Sequence, residues 1–151
     1  MALAWAFVVT GCRDFEDYRT PYKSFVTIAL KPIGKNDSLP NLTVVRRPTD
    51  RVEEEKILEK YLINNVAYVS SPLNPQVGSI TLDIHNSSAG GSQRTLTIHY
   101  QKEVVLVSHQ CGCTYKYKLN KVTTTQGIKY KILHKELSTA NDSTADIQVF
   151  L

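Results

Sequence analysis

Residues 96–119 read LTIHYQKEVVLVSHQCGCTYKYKL, and their alternation of apolar and polar side chains predicts the fold class. In residues 96–100 and 115–119 every second side chain is apolar, which is the period of a strand with one face against a core. Residues 104–107, VVLV, are continuously apolar and predict a strand that is covered on both faces. This part of the chain therefore predicts β structure throughout.

The same period recurs in other segments, which are separated by turn-forming residues. Strands are predicted at residues 26–30, 80–84, 128–132 and 147–151, each with apolar side chains at alternate positions. Glycine, asparagine and serine predict a flexible loop at residues 86–92 and turns at residues 125–127 and 141–143. Short strands at this spacing indicate a mainly β protein, an antiparallel β-sandwich or a barrel-like fold.

One segment, residues 51–62, departs from this pattern and predicts a short helix. Asp50 and Glu53 have the spacing of a capping box, and three glutamates at residues 53–55 lie where the helix dipole favours negative charge. Apolar side chains then recur at helical spacing, at Ile57, Leu58, Tyr61 and Leu62. We expect this helix to pack across the sandwich or to close one of its ends.

The N-terminal segment ends in a cysteine that predicts lipidation. Residues 2–9 are eight consecutive apolar residues, too few for the ~20 that a transmembrane helix needs. Val9-Thr10-Gly11-Cys12 resembles the lipobox of bacterial lipoprotein signal peptides, in which the cysteine becomes the lipidated first residue. The positively charged region that normally precedes such a signal is missing. The alternative is a buried N-terminal strand with an ordinary core cysteine.

Length and charge predict one domain with a short leader. The predicted organisation is a signal peptide at residues 1–11, a linker at residues 12–22 and a single β domain at residues 23–151. Removing the first 11 of 151 residues leaves 140, which is enough chain to bury one core. The net charge of +4 is mild, influences solubility and does not indicate nucleic-acid binding.

Short motifs in the chain resemble those of a known family. They are a Leu-Asn-Pro turn at residues 73–75, a Val-Ser-x-x-Cys-Gly block at residues 107–112 and a C-terminal strand at residues 146–151. The chain in this respect resembles a family of small Bacteroidetes-type lipoproteins of uncharacterised function, over residues 12–151. The resemblance implies an all-β lipoprotein of the outer membrane, facing the periplasm or the cell surface, with no known activity.

The cysteines depart from that family and leave three interpretations open. Relatives carry a second cysteine soon after the lipidated one, positioned to bridge to the Cys-Gly block, whereas residues 13–110 contain none. In the first interpretation, Cys111 and Cys113 are a structural pair, either two thiols or a strained disulfide across Gly112. A second interpretation is a redox pair, because strained disulfides are more easily reduced. A third adds His109 to make a His-x-Cys-x-Cys ligand set for Zn or Cu(I).

The other polar side chains form weaker patterns. His85 and His99 are predicted to lie side by side on one sheet face, as solvated residues rather than as a site. Four lysines are predicted to line the polar faces of two adjacent strands and to meet anionic lipid or polysaccharide, at Lys116, Lys118, Lys129 and Lys131. Three tyrosines are predicted on the opposite, core-facing side, at Tyr115, Tyr117 and Tyr130.

These observations favour a binding or structural role over catalysis. The sequence contains no nucleophile elbow, His-Glu-x-x-His pair or phosphate-binding glycine loop, so no enzyme activity and no cofactor are predicted. The predicted protein is lipid-anchored in the bacterial cell envelope, with an envelope protein or a glycan as partner and no nucleic acid. The alternative is a metal-binding or redox protein centred on His109, Cys111 and Cys113. A third interpretation is a eukaryotic secreted domain, because the chain contains four Asn-x-Ser/Thr triplets, which are acceptors for N-glycosylation.

Overall fold

A computed structural model describes residues 22–33, 39–48, 55–86, 93–108, 112–125, 128–141 and 144–151. Within these ranges the chain forms ten strands and two short 3₁₀ turns, at Leu39–Asn41 and Thr139–Asn141. The strands are β1 (Phe25–Lys31), β2 (Leu42–Arg46), β3 (Lys56–Leu58), β4 (Lys60–Ile63), β5 (Val66–Pro72), β6 (Ser79–Asn86), β7 (Gln93–Ser108), β8 (Gly112–Thr124), β9 (Lys129–Ile132) and β10 (Ile147–Phe150).

The strands form two five-stranded sheets, which we call the first and the second sheet. The first sheet has the order β4-β5-β1-β10-β9, and the second has the order β3-β2-β6-β7-β8. All neighbouring strands are antiparallel except β1 and β10, which pair in parallel and so place the two ends of the described chain side by side. The predicted β-sandwich is confirmed, and the fold is not a closed barrel.

The core lies between the sheets and is built from the predicted alternation. Side chains at every second position of the central strands are almost completely buried, because the two sheets cover one another on that side. They include Ile28, Leu30, Val69, Ile147 and Val149 of the first sheet and Ile80, Leu82, Leu96, Ile98 and Leu119 of the second. The strands predicted at residues 26–30, 80–84, 96–100 and 115–119 are therefore confirmed. Those predicted at residues 128–132 and 147–151 are confirmed as β9 and β10.

The prediction of a helix at residues 51–62 is wrong over the part that the structure describes. Residues 56–58 and 60–63 are the strands β3 and β4, which belong to different sheets and are separated only by Glu59. Asn64 and Asn65 follow with φ angles of 48° and 60°, the left-handed conformation of a two-residue hairpin turn that asparagine tolerates. This turn pairs β4 with β5, and the resulting ladder prevails over local helix propensity. Residues 51–54 lie outside the described ranges.

Among the described residues, no helical segment is long and apolar enough to cross a bilayer.

Candidate functional site

The longest hairpin of the sandwich projects beyond its neighbours. Strand β6 pairs with β7 only as far as Ser79 opposite His99, whereas β7 continues to pair with β8 as far as Ser108 opposite Gly112. We call residues 101–108 and 112–118 the arm. At about 3.4 Å per residue, the six residues beyond Lys102 extend the arm by ~20 Å.

The arm exposes one face of the apolar run at residues 104–107, so the prediction that this strand is covered on both faces is wrong. Val104 is 61% exposed and Leu106 is 56% exposed. Their cross-strand partners are Tyr115, which is 41% exposed, and Cys113, which is also exposed. These four side chains share one face with the buried Tyr117, but the first sheet does not reach far enough to cover them. The result is an apolar strip on an isolated two-stranded hairpin.

The Leu-Asn-Pro turn fixes the base of the arm. Leu73 is buried, and its N–H donates to the Ser24 carbonyl at 2.8 Å. The Tyr100 hydroxyl accepts from the Asn74 N–H at 3.2 Å and donates to the Asn74 carbonyl at 3.0 Å. Lys102 donates to the Pro75 carbonyl, and its ammonium lies 5.4 Å from the Tyr115 ring centroid. The turn and the arm therefore form one connected unit.

The start of the described chain also meets the base of the arm. Tyr22 forms a backbone bridge with Ser138, and the Lys116 ammonium lies 5.7 Å from the Tyr22 ring centroid. Lys116 also pairs with Glu136 at 3.4 Å. A neighbouring cleft of about 390 Å³ is lined by Gln101, Lys102, Glu103, Lys116, Lys118 and Glu136. Whatever precedes Tyr22 therefore leaves the domain beside the arm.

The predicted cysteine site is only partly within the described residues. Cys113 lies exposed on β8 opposite Leu106, and Gly112 before it has a φ of +76°, in the left-handed region. Cys12, His109 and Cys111 lie outside the described ranges. In the part of the chain that is described, no three His, Cys, Asp or Glu side chains are grouped to hold a metal ion. The pairing of Cys111 with Cys113 and the ligand role of His109 stay predictions.

The outward side of the first sheet carries aromatic and basic side chains in register. One row of cross-strand partners runs Tyr61, Tyr68, Ala29, Gln148 and Lys131. In the adjacent row, Phe150 lies between Lys31 and Lys129. We call the surface formed by Tyr61, Tyr68, Phe150, Gln148, Lys129 and Lys131 the aromatic face. Tyr61 is 65% exposed and Tyr68 and Phe150 are half-buried, so the rings are accessible to a ligand.

The lysine stripe that the sequence predicts is divided between two surfaces. Lys116 and Lys118 lie on β8 of the second sheet, whereas Lys129 and Lys131 lie on β9 of the first, so the prediction of adjacent strands is wrong. Only one of the three tyrosines predicted to face the core is buried, namely Tyr117. Tyr130 points toward the core from an edge strand and remains 40% exposed.

The two strand histidines do not come together. His85 lies opposite Gln93 and His99 lies opposite Ser79. Since Ser79 and His85 are six residues apart on β6, the two histidines are separated by ~20 Å along the strands. The two histidines lie on the same outward face of the second sheet, but the predicted side-by-side arrangement is wrong, because the hairpin register places them at opposite ends of the paired segment.

Between them lies a polar cluster centred on Asp83. The Arg47 guanidinium donates to both carboxylate oxygens of Asp83, with Nη2 at 2.8 Å from Oδ1, and the Thr95 hydroxyl donates to Oδ1 at 2.7 Å. Burial by itself raises the pKa of the Asp83 carboxyl, but the hydrogen bonds from Arg47, Thr95 and Gln93 and the Arg47 charge outweigh it. They hold the pKa of Asp83 below its ordinary value of 3.8.

This cluster predicts an acid-sensitive contribution to stability. Because the folded pKa is lower than the unfolded one, the contribution is complete well above 3.8 and is lost as the pH falls through the folded pKa. We expect Asp83→Asn to lower the free energy of unfolding by about 1–2 kcal/mol at pH 7. Urea titrations from pH 7 to pH 2 measure the difference from the wild type, which is expected to shrink on acidification. A difference that is the same at both ends, or as large for the exposed Glu103→Gln, would contradict this.

A second charged cluster is completely buried where β1 and β10 meet. Asp146 is 0% exposed, and its Oδ2 forms an ion pair with the Lys23 ammonium at 3.0 Å and accepts a hydrogen bond from the Thr27 N–H at 2.8 Å. The backbone of Asp146 also joins Thr27 and Leu133, at 2.8 Å and 2.7 Å. His134 Nδ1 lies 3.8 Å from Oδ1, which is beyond hydrogen-bonding distance. Asp146 thus links β1 to the end of β9.

The fold and its surfaces define the class of this protein: a two-sheet β-sandwich with a projecting hairpin arm and an aromatic outer face. A model of a family of unknown function, DUF6452, matches residues 41–151, and the chain belongs to that family. No curated protein and no solved structure matches the chain. The predicted membership of an uncharacterised family is confirmed at that level. Its lipoprotein character and its origin in Bacteroidetes-type bacteria stay predictions.

Sequence reasoning missed the aromatic face, although part of its signal was present. Asn64-Asn65 is flanked by residues 60–63 and 66–69, so a two-residue hairpin places Tyr61 directly opposite Tyr68. Recognition of that turn would have replaced the predicted helix with a hairpin that carries two facing tyrosines. The pairing of β10 with both β1 and β9, which brings Phe150 and the two lysines to the same surface, has no local signal.

Proposed function

We propose that this chain is a lipid-anchored, non-enzymatic binding protein of the bacterial cell envelope. Its lipid is attached at Cys12, and the arm rests on the membrane that holds the lipid. The observation that carries this proposal is the arm itself, which exposes Val104, Leu106 and Tyr115 on a hairpin whose base lies beside Tyr22. An apolar strip of this kind is a contact surface, because a soluble domain otherwise covers such side chains.

The length of the preceding chain supports this arrangement. Ten residue steps separate Cys12 from Tyr22, and a fully extended chain of that length spans at most ~35 Å. The arm extends by ~20 Å from a base that Tyr22 adjoins. A lipid on Cys12 therefore keeps the end of the arm within reach of the bilayer surface, without any need to reorient the sandwich.

The chemistry of the arm fits the boundary between headgroups and acyl chains. Burial of a valine, a leucine and a tyrosine contributes a few kcal/mol, which adds to the attachment by the lipid. Lys102 lies on the same face as the strip, with its ammonium 5.4 Å from the Tyr115 ring centroid, whereas Lys116 and Lys118 lie on the opposite face of β8, in a cleft shared with Glu103 and Glu136. Anionic headgroups attract the net positive charge of the arm, and salt weakens the attraction.

Vesicle binding tests the role of the arm separately from the lipid. Full-length Cys12→Ser protein is mixed with phosphatidylglycerol-containing vesicles, and the bound fraction is measured by co-sedimentation. Since the arm contributes apolar contacts, the further substitutions Val104→Ser, Leu106→Ser and Tyr115→Ser together are expected to lower the apparent affinity at least tenfold. Ile57→Ser is the matched control, because Ile57 is 68% exposed on β3 at the opposite edge of the same sheet.

Equal binding by the arm variant and the Ile57→Ser control would refute the membrane role of the arm. The lipid itself is tested by the intact mass of native protein extracted from membranes. The expected mass is that of a chain without residues 1–11 and with acyl groups on Cys12. An unmodified chain that begins at Met1 in that sample would contradict lipidation.

A further inference from the structure

The aromatic face combines two kinds of chemistry that the proposed function leaves without a partner. Tyr61 and Tyr68 are direct cross-strand neighbours on β4 and β5, and their rings point away from the core. Lys131 occupies the far end of the same row on β9, and Lys129 is its neighbour next to Phe150. Both lysines are exposed, and neither takes part in an ion pair between described residues. The face is therefore apolar at one edge and positively charged at the other.

The middle of this row of cross-strand partners has a short side chain with polar side chains beside it. Ala29 lies between Tyr68 and Gln148, and its single methyl group is covered by its neighbours. Thr27 and Ser70 follow at the next outward positions, with their hydroxyl oxygens 3.2 Å apart. Thr27 is buried and Ser70 is exposed, so a ligand that lies across the sheet meets rings, then a shallow floor beside the Ser70 hydroxyl and the Gln148 amide, and then ammonium groups.

The dimensions of the face select an extended ligand. Four inter-strand spacings separate β4 from β9, so Tyr61 and Lys131 are ~19 Å apart across the sheet. A small molecule cannot touch both ends, whereas a chain of several sugar units can. Sugar rings have apolar C–H faces that pack on tyrosine and phenylalanine rings and exclude water. Sugars that are uronic acids also carry carboxylates, which accept charge-assisted hydrogen bonds from lysine.

The net charge of the aromatic face indicates which kind of polysaccharide it binds. The charges in and beside it are the exposed Lys129 and Lys131 and the half-buried Lys31, opposed by Glu59, which accepts a hydrogen bond from the Tyr61 hydroxyl at 3.4 Å. Asp146 is buried against Lys23 and does not contribute. We propose that the aromatic face binds an acidic polysaccharide, a chain that contains uronic acid residues. This deepens the proposed function, since it names the ligand class of the binding role.

Calorimetric titration of the full-length Cys12→Ser protein with a galacturonic acid hexamer tests this proposal in the absence of membranes. Tyr61→Ala is expected to lower the affinity at least tenfold by removing a stacking ring. The pair Lys129→Gln and Lys131→Gln is expected to lower it by a similar factor and to reduce its salt dependence. A neutral glucose hexamer is expected to bind at least tenfold more weakly than the acidic one.

Two controls make the result decisive. Lys116→Gln with Lys118→Gln removes the same charge from the arm and is expected to change the affinity less than twofold. Equal losses from both lysine pairs would show unspecific attraction by net charge and would overturn the proposal. So would undetectable binding of the acidic hexamer, or equally tight binding of hexaglutamate.

Tyr61 and the two lysines are exposed, so these variants are expected to melt within a few degrees of the parent. Since the hexamer contains no lipid, failure here leaves the vesicle result unaffected.

Discussion

A chain that begins at Asn41, where the family match begins, is expected not to fold. Such a chain lacks β1, the central strand of the first sheet. Without β1 the order β4-β5-β1-β10-β9 separates into two hairpins with no shared hydrogen bonds. Burial of Val26, Ile28 and Leu30, each at most 1% exposed, is lost as well. These three side chains alone contribute on the order of 5–9 kcal/mol, which is comparable to the whole stability of a domain.

Far-ultraviolet circular dichroism and thermal melting measure this loss. The matched control is a chain that begins at Tyr22, which keeps β1, Lys23 and the bridge to Ser138. It is expected to melt cooperatively, while the chain of residues 41–151 shows no transition or aggregates. A cooperative transition in the shorter chain would show that the second sheet and the remaining hairpins suffice, and would refute the central role of β1.

Breaking the buried ion pair is expected to have the second-largest effect. Asp146→Asn leaves the Lys23 ammonium buried opposite a neutral amide, although the amide oxygen still accepts from the Thr27 N–H. Because an uncompensated buried charge is costly, we expect the free energy of unfolding to fall by about 3–5 kcal/mol. Lys23→Met is expected to destabilise the fold by a similar amount, since it leaves the Asp146 carboxylate without its cation.

A double-mutant cycle distinguishes this pairing from simple packing. The double variant Lys23→Met with Asp146→Asn removes both charges and is expected to be more stable than the sum of the single losses predicts, by at least ~2 kcal/mol. The control is the surface pair Lys116 and Glu136, whose side chains are 24% and 59% exposed. Neutralising either of these residues is expected to cost less than ~1 kcal/mol. Additive losses at Lys23 and Asp146 would contradict the pairing.

The errors in the sequence-based predictions share a physical cause. Residues 104–107 have the pattern of a covered strand. Val104, Leu106 and Tyr115 lie on the face that continues the core, but they are exposed because the first sheet ends before it reaches them. The extent of an opposing sheet is not encoded in local periodicity. The helix prediction failed because two asparagines in the left-handed conformation allow β4 to pair with β5.

The candidate sites were predictable to different degrees. The Leu-Asn-Pro turn lies at the base of the arm, and the described residues of the Val-Ser-x-x-Cys-Gly block, Val107, Ser108 and Gly112, lie at its end. The aromatic face was not predictable, since its members come from β4, β5, β9 and β10. Its composition depends on which strands become neighbours and in which register.

The sequence by itself determined that this protein is mainly β, with a sandwich or barrel-like fold, because side-chain alternation at a period of two leaves one apolar face on each strand that must be buried. It also determined where most strands lie. Only the tertiary structure decided which apolar residues remain outside, where the two charged clusters lie and which surface the tyrosines and lysines share. Those properties depend on strand order, on register and on the reach of the opposite sheet, and they arise from contacts between residues far apart in the chain.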